Sequence, residues 1–265
     1  MWNWEGLGEW SFCWLFFITP TFIRTPCRNG EFQMTTTSPN NLYTSNSQLY
    51  ILPTLTSDAI GTAAIFDKGS YTLDGCTTTS TNKTACTATS SAAKGAVINP
   101  VMSARISTQG KVNIQYGKVE VRAKLPRGDW LWPAIWMLPE SETYGAWPLS
   151  GEIDVRPFLS LGLRHLTRPS LLPLQIMEAR GNRPGYAGQG SNYVRSTLNY
   201  GPLAGLMTQI YGWYSEKRGG FDQGFRTYGM EWDEQFMRFY TDSRVHAMLD
   251  LRVGGKGEGF WARGK

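Results

Sequence analysis

Between Gly117 and Leu125 the chain alternates between apolar and charged residues, and this alternation restricts the possible fold more than any other feature. The apolar residues are Val119, Val121, Ala123 and Leu125, and the charged ones are Lys118, Glu120, Arg122 and Lys124. Successive side chains of a β-strand point to opposite faces, so the pattern predicts a strand with one buried and one solvated face.

Several other short segments have the composition of strands. They are residues 48–52, 114–116, 131–138, 195–200, 225–232 and 235–240. Residues 131–138 are largely apolar, which predicts a strand buried on both faces, and Asp233-Glu234 suits a two-residue hairpin between the last two segments. With 29 glycines, 14 prolines and no long periodic apolar helix, the 265-residue chain is predicted to be an all-β sandwich with a sizeable core.

Three carboxylates stand on either side of a segment that does not match its surroundings. Glu152 and Asp154 precede residues 155–175, Glu178 follows them, and removal of the segment joins the flanks as S-G-E-I-D-I-M-E-A-R-G-N. In the joined strand Glu178 would lie on the opposite face from Glu152, and one extra residue in a β-bulge would correct this. Two glutamates about 5–5.5 Å apart suit retaining glycoside hydrolysis. The alternative is a solvated acidic strand edge.

The joined string resembles the catalytic strand of glycoside hydrolase family 16, in its laminarinase-like branch with E-x-D-x-x-E. Further segments match that family in order, namely residues 117–126, 132–139, 147–148 and 227–233. The resemblance covers about residues 29–154 and 176–260. It is strongest to secreted fungal endo-β-1,3-glucanases and their glucan-binding relatives.

The resemblance implies a concanavalin A-like jelly-roll sandwich of two curved antiparallel sheets. It also implies hydrolysis of internal β-1,3- or mixed β-1,3/1,4-glucan linkages with retention. Glu152 would be the nucleophile, Glu178 the acid/base, and Asp154 the residue that orients Glu152. The alternatives are a non-catalytic β-glucan-binding protein and an inactive product of a misannotated gene.

Four further residues are candidates for contact with the polysaccharide. Trp147, flanked by turn residues, is expected to stack on a sugar ring, whereas Trp136 fits either stacking or core packing. Arg180 and Asn182 are expected to bond hydroxyl groups near the cleavage point. The 11 tryptophans and 12 tyrosines supply the aromatic surface that an uncharged polysaccharide needs.

The charge and the metal-ligand pattern bear on cofactors and partners. The net charge of +5 becomes +2 without residues 155–175, which carry three arginines and no acid, and no basic helix or lysine run remains. Nucleic acid is therefore not an expected partner. No His, Cys or acidic cluster has metal-ligand spacing, so we expect no cofactor and no catalytic metal. The expected partner is β-glucan, and the expected oligomeric state is a monomer.

Residues 155–175 are rich in Leu, Arg, Pro and Ser and follow neither strand nor helix periodicity. We interpret the segment as a translated intron, with a true insertion loop as the alternative. Prolines at 157, 169 and 173 oppose continuation of a central strand. We therefore expect the segment to be looped out, with Asp154 and Ile176 close together.

The two ends of the chain are also unusual for the family. Residues 1–28 contain an apolar run, residues 12–18, that is too short to span a membrane and lacks a basic flank. We interpret them as a gene-model artefact or the remnant of a targeting region, with a hydrophobic anchor as the alternative. Residues 29–265 are expected to form the family-16-like domain, which would be incomplete because further strands follow this point in relatives.

Cysteine usage favours a secretory route. Cys76 and Cys86 flank a Thr-rich loop and are expected to form a disulfide, and Asn82 within it begins an N-glycosylation motif. Both features favour an oxidising compartment, so we expect a secreted, extracellular or cell-wall protein without stable membrane insertion. The pairing of Cys13 and Cys27 stays open.

Overall fold

The computed structural model describes residues 10–15, 17–18, 33–74, 86–108, 111–129, 131–139, 174–187, 189–203 and 206–252. The strands in these ranges are β1 (Trp10–Leu15), β2 (Phe17–Ile18), β3 (Gln33–Thr35), β4 (Leu42–Ser45), β5 (Gln48–Ile51), β6 (Thr54–Leu55), β7 (Ser70–Thr72), β8 (Thr87–Thr89), β9 (Val101–Ser103), β10 (Arg105–Ser107), β11 (Gly117–Ala123), β12 (Ala134–Pro139), β13 (Leu174–Ala179), β14 (Tyr193–Leu203), β15 (Leu206–Ser215), β16 (Arg226–Trp232), β17 (Phe236–Thr241) and β18 (Ser243–Arg252). The helices are α1 (Ser57–Ile60), α2 (Thr62–Phe66) and the 3-10 helix Ala92–Lys94. In the described part of the chain, no helix has the length and apolar character needed to cross a membrane.

The chain divides into two compact units, residues 14–107 and residues 1–13 with 108–265. In the smaller unit β3, β9 and β6 form a three-stranded sheet, and the pairs β4–β5 and β7–β8 form two antiparallel ribbons. Its core contains Met34, Ile65, Leu73, Ala88, Ile98 and Met102. Buried Asn41 links strand ends, because its side-chain nitrogen donates to Leu52 O at 2.8 Å and to Thr54 Oγ1 at 2.9 Å.

The first sheet of the larger unit has the strand order β11-β16-β17-β18, and all its pairs are antiparallel. In β11 Val119 and Val121 are buried and their charged neighbours are exposed, so the alternation predicted from the sequence is confirmed. Opposite them in β16, Met230 and Tyr228 are buried as well. Burial of this apolar face is the main source of stability for such a sheet.

The second group of strands in this unit is antiparallel with the order β15-β14-β13-β12. Strands of the two sheets contact each other: β14 and β15 both contact β18, and β13 contacts β16. At Gly212 in β15, a Cβ atom would lie only 1.6 Å from the carbonyl oxygen of Met248 in β18. The close approach of these two strands therefore depends on glycine at this position.

Several strand predictions differ from the structure. The strand expected at residues 114–116 is not formed, and β11 begins only at Gly117. The strand expected at 131–138 begins at Ala134, and Trp132 lies before it with 55% of its surface exposed, so the expectation of burial on both faces fails there. Residues 233–235, rather than Asp233-Glu234 alone, connect β16 and β17, because the Asp233 carboxylate accepts the backbone N–H groups of Gln235 and Phe236. Strands β15 and β18 were not predicted.

Candidate active site

A β-bulge lies in β13 immediately before Glu178. Gln175 pairs with Thr197 and Glu178 with Arg195, so three steps along β13 match two steps along β14. The pairing with β12 shifts at the same place. The extra residue brings the positions of Gln175 and Glu178 onto one face of the sheet. A bulge is therefore present next to Glu178, where the joined string predicts one. Its predicted effect on Glu152 and Asp154 stays a prediction, because both residues lie outside the described ranges.

The strand before the bulge is formed by residues that the sequence analysis assigned to the looped-out segment. Leu174 and Gln175 belong to β13 and pair with both neighbouring strands. Gln175 thus holds the register position that the joined string gives to Asp154. The expectation that all of 155–175 is looped out is wrong for these two residues, because both can pair in the ladder once Pro173 has been passed. Residues 155–173 lie outside the described ranges, and the intron interpretation stays a prediction.

Glu178 is 8% exposed and has partners on both carboxylate oxygens. Its Oε2 accepts from Arg195 Nη2 at 2.6 Å and from Arg195 Nε at 3.1 Å. Its Oε1 accepts from Trp132 Nε1 at 2.5 Å. Charge-assisted hydrogen bonds of this kind hold a carboxylate in one orientation. Neither partner of Glu178 was predicted from the sequence.

Backbone hydrogen bonds explain why Trp132 lies beside Glu178. Gly181 N donates to Leu131 O at 2.8 Å, and Gly128 N donates to Gly181 O at 3.0 Å. These bonds tie the segment before β12 to the segment after β13. Arg180 also supports the indole, since its guanidinium carbon lies 5.3 Å from the Trp132 ring centroid, within the range of a cation–π contact.

Two exposed aromatic residues lie on the same sheet face as Glu178. Trp213 in β15 pairs with Arg195, and Tyr211 pairs with Thr197. Each ring residue is 52% exposed, and the two ring centroids are 6.4 Å apart. The Arg195 guanidinium carbon lies 5.6 Å from the Tyr211 ring centroid. We call the face that carries Glu178, Arg195, Tyr211 and Trp213 the site face.

The sequence contained one local indication of this aromatic pair. Tyr211-Gly212-Trp213 has the two-residue spacing that places two rings on one face of a strand. The participation of Arg195 and Trp132 had no such indication, because it depends on the register between β13 and its neighbours.

The remaining predicted site residues divide into two groups. Trp136 is half-buried and pairs with Gln175, on the site face of β12. Asn182 is buried, with its side-chain nitrogen 3.4 Å from Asp129 Oδ1, and Cys86 is disulfide-bonded. The residues that lie outside the described ranges are Cys76, Asn82, Trp147, Glu152 and Asp154.

A shallow pocket opens beside Glu178, with an empty volume of about 260 Å³ that includes open solvent. Arg180, Tyr193 and Arg195 line it together with Glu178. Within the described ranges, no group of three or more His, Cys, Asp or Glu side chains is arranged to hold a metal ion. The site face and the pocket beside it therefore combine one buried carboxyl, the guanidinium groups of Arg195 and Arg180, and exposed aromatic rings.

Comparison with known proteins gives three informative relatives. A β-1,3-glucan-binding protein of Penaeus monodon is 35% identical over 242 residues, which cover 88% of this chain and 57% of that protein. Glucan endo-1,3-beta-glucosidase A1 of Niallia circulans is 34% identical over 143 residues, which cover 54% of this chain and 17% of that protein. The solved structure of a non-specific endo-β-1,3(4)-glucanase from family GH16 aligns with a TM-score of 0.52 and 21% identity over 91% of this chain and 68% of that one.

The chain thus spans just over half the length of the first relative and a smaller part of the second. No family model matches the sequence. The structural likeness shows an all-β protein of the jelly-roll sandwich class, as predicted. Within that class, the relatives confirm the resemblance of this chain to the laminarinase-like branch of glycoside hydrolase family 16.

Proposed function

We propose that this chain hydrolyses internal β-1,3 or mixed β-1,3/1,4 linkages of β-glucan with retention of anomeric configuration. The observation that carries the proposal is the placement of Glu178, which follows a bulge and lies on a sheet face with exposed aromatic rings. The names of the Niallia circulans relative and of the structural relative, both glucanases, support this choice of reaction.

In the proposed reaction the roles are divided between two glutamates. Glu178 donates its proton to the glycosidic oxygen as the bond to the anomeric carbon breaks, and Glu152 attacks that carbon to form a glycosyl-enzyme. Glu178, now a carboxylate, then removes a proton from water, which displaces Glu152. Asp154 is proposed to orient Glu152.

The polysaccharide is proposed to lie along the site face. An apolar ring surface suits the faces of sugar rings, and Tyr211 and Trp213 each present about half of their area to solvent. Trp147 and Trp136 are proposed to stack on further sugars, and Arg180 and Asn182 to bond hydroxyl groups.

Secretion is part of the proposal, and it is supported by the disulfide at Cys86. Disulfides persist in oxidising compartments and are rare in the cytosol. We propose an extracellular or cell-wall protein in which Cys76 is the partner of Cys86 and Asn82 carries a glycan. The proposed working state is a monomer bound to β-glucan.

The experiment that tests the function compares the wild-type chain with Glu178→Gln on laminarin. Reducing ends should accumulate with the wild-type protein, and the variant should be slower by about 10²–10⁴-fold, because Gln has no proton to donate. If the wild-type protein sediments with insoluble β-1,3-glucan and produces no reducing ends, the chain is a glucan-binding protein. The relative from Penaeus monodon carries that name.

A further inference from the structure

We propose that Arg195 is a positioning residue for the acid/base, fixing which oxygen of Glu178 transfers the proton. The inference rests on the proposed function. Both contacts of the Arg195 guanidinium reach Oε2, through Nη2 at 2.6 Å and Nε at 3.1 Å. Because both Arg195 contacts are made to Oε2, the other carboxyl oxygen, Oε1, is the atom that exchanges a proton with the leaving group.

The second anchor of the carboxyl lies on the other oxygen. Trp132 Nε1 donates to Oε1, and the Trp132 side chain is more than half exposed while Glu178 is almost buried. A carboxylate oxygen has two acceptor sites, so Oε1 keeps one site for the transferred proton beside the indole. The position of Trp132 thus marks the open side of Glu178, from which a sugar oxygen can approach.

Arg195 is suited to this task by its own surroundings. It faces Glu178 directly across the β13–β14 ladder, where opposite side chains are about 4.5–5.5 Å apart at Cβ. The ring of Tyr211 lies 5.6 Å from its guanidinium carbon and limits its rotamers. The guanidinium is therefore placed before substrate binds, which is the condition for electrostatic stabilisation without reorganisation.

The positive charge acts in the proton-transfer step itself. As the glycosidic bond breaks, the proton leaves Oε1 for the sugar oxygen and Glu178 gains a negative charge. That charge develops next to the Arg195 guanidinium, which stabilises it. Arg195 therefore assists a substrate that needs a proton on its leaving group, and it has no such effect on a substrate that does not need one.

Two substrates distinguish cleavage that needs proton donation to the leaving group from cleavage that does not. The leaving group of laminarin is a sugar oxygen, which must be protonated as the glycosidic bond breaks. The leaving group of 2,4-dinitrophenyl β-laminaribioside is a stable phenolate, which departs without protonation. We would measure kcat/KM for both with the wild-type chain, Arg195→Met and Arg195→Lys. Arg238→Met is the matched control, since it breaks an ion pair with Asp250 on the other sheet.

For Arg195→Met we expect a fall of about 100-fold in kcat/KM on laminarin and less than about threefold on the dinitrophenyl glycoside. Arg195→Lys keeps the charge with a single contact and should recover part of the loss on laminarin. Arg238→Met should match the wild-type protein on both substrates. Thermal melting of each variant identifies losses caused by unfolding, and Arg195→Lys remains informative if Arg195→Met does not fold.

Equal losses on the two substrates, or no loss on laminarin, would overturn the role of Arg195 and leave the proposed function standing. A wild-type chain that cleaves neither substrate would overturn the proposed function, and the inference with it. A wild-type chain that cleaves only the dinitrophenyl glycoside would show that no proton is delivered, which also overturns the inference.

Discussion

Arg195 and Glu178 face each other across the β13–β14 ladder, joined by an ion pair of 2.6 Å. The pairing depends on the bulge just before Glu178, because an unbroken strand would place Glu178 on the opposite face from the position of Gln175. The bulge therefore determines both the direction of the carboxyl and the identity of its partner.

The first prediction concerns the close approach of β15 and β18. Gly212→Ala should reduce the free energy of unfolding by about 1–3 kcal/mol, because the added Cβ would overlap the Met248 carbonyl oxygen and force the strands apart. Chemical denaturation measures the change. Gly224→Ala is the control, since nothing lies within 4 Å of a Cβ there, and equal stability of both variants would contradict the account.

The second prediction concerns the aromatic pair of the site face. Trp213→Ala and Tyr211→Ala should each weaken laminarin binding by about 2–10-fold, because a lost ring contact is worth about 0.5–1.5 kcal/mol. Affinity electrophoresis in laminarin gels gives the measurement. Phe225→Ala removes a ring that is 40% exposed and lies against Arg122 of β11. A loss of binding in Phe225→Ala as large as in Trp213→Ala would contradict the placement of the glucan.

The third prediction compares two deletions that differ by Leu174 and Gln175. Deletion of residues 155–175 puts Glu178 five positions after Glu152, whereas deletion of 155–173 leaves it seven positions after. Two further strand residues add about 7 Å, which is more than the separation that retention allows. We therefore expect the longer deletion to release more reducing ends from laminarin than the shorter one.

The relative activity of the two deletion proteins also shows whether the joined-strand interpretation is wrong. If the shorter deletion is the more active, Leu174 and Gln175 belong to the functional strand and residues 155–175 are not a single foreign segment. Soluble yield and circular dichroism of both proteins serve as the controls for folding.

The fourth prediction is a pH dependence of stability centred on Glu120 of β11. Partial burial raises the pKa of its carboxyl, but hydrogen bonds from Lys118 and from the Tyr240 hydroxyl outweigh that effect and hold the pKa below its ordinary value. A lowered pKa in the folded state contributes stability at neutral pH, which is lost as the pH falls through that pKa. The contribution is small because the side chain is 43% exposed.

The measurement compares urea midpoints at neutral pH and at about pH 3. The urea midpoint of the wild-type protein should fall further on acidification than that of Glu120→Gln, because the variant has no carboxylate at position 120 to protonate. Glu234→Gln removes a carboxylate from the exposed connection between β16 and β17 and serves as the control. Equal acid sensitivity of Glu120→Gln and the wild-type protein would contradict the prediction.

Part of this architecture could be predicted because it depends on local patterns in the sequence. The alternation in β11 fixes which face is buried. The odd spacing of Glu152 and Glu178 in the string joined without residues 155–175 predicts a bulge at the place where β13 has one. Strand β15 was not predicted because Gly212 has no side chain to mark a buried face. The apolar residues Tyr211 and Trp213 are exposed, so they break the usual alternation of buried apolar and exposed polar residues. Gly212 is explained only by its neighbour in space, the Met248 carbonyl.

The partners of Glu178 could not be predicted for a related reason. Arg195 lies 17 positions from Glu178 in the sequence and Trp132 lies 46 positions away. Their meeting depends on strand register and on the hydrogen bonds between Gly128, Leu131 and Gly181, which no short motif specifies. The pairing of Leu174 and Gln175 in β13 was missed because the composition of their segment obscured it.

The stereochemistry of cleavage is the decisive test of retaining hydrolysis by Glu152 and Glu178. Time-resolved proton NMR of the wild-type chain with laminarin oligosaccharides reports the anomer of the first product before mutarotation. Retaining hydrolysis by Glu152 and Glu178 predicts that the β anomer appears first and that Glu178→Gln suppresses it. Appearance of the α anomer first, or the absence of any new anomeric signal from folded protein, would contradict the account.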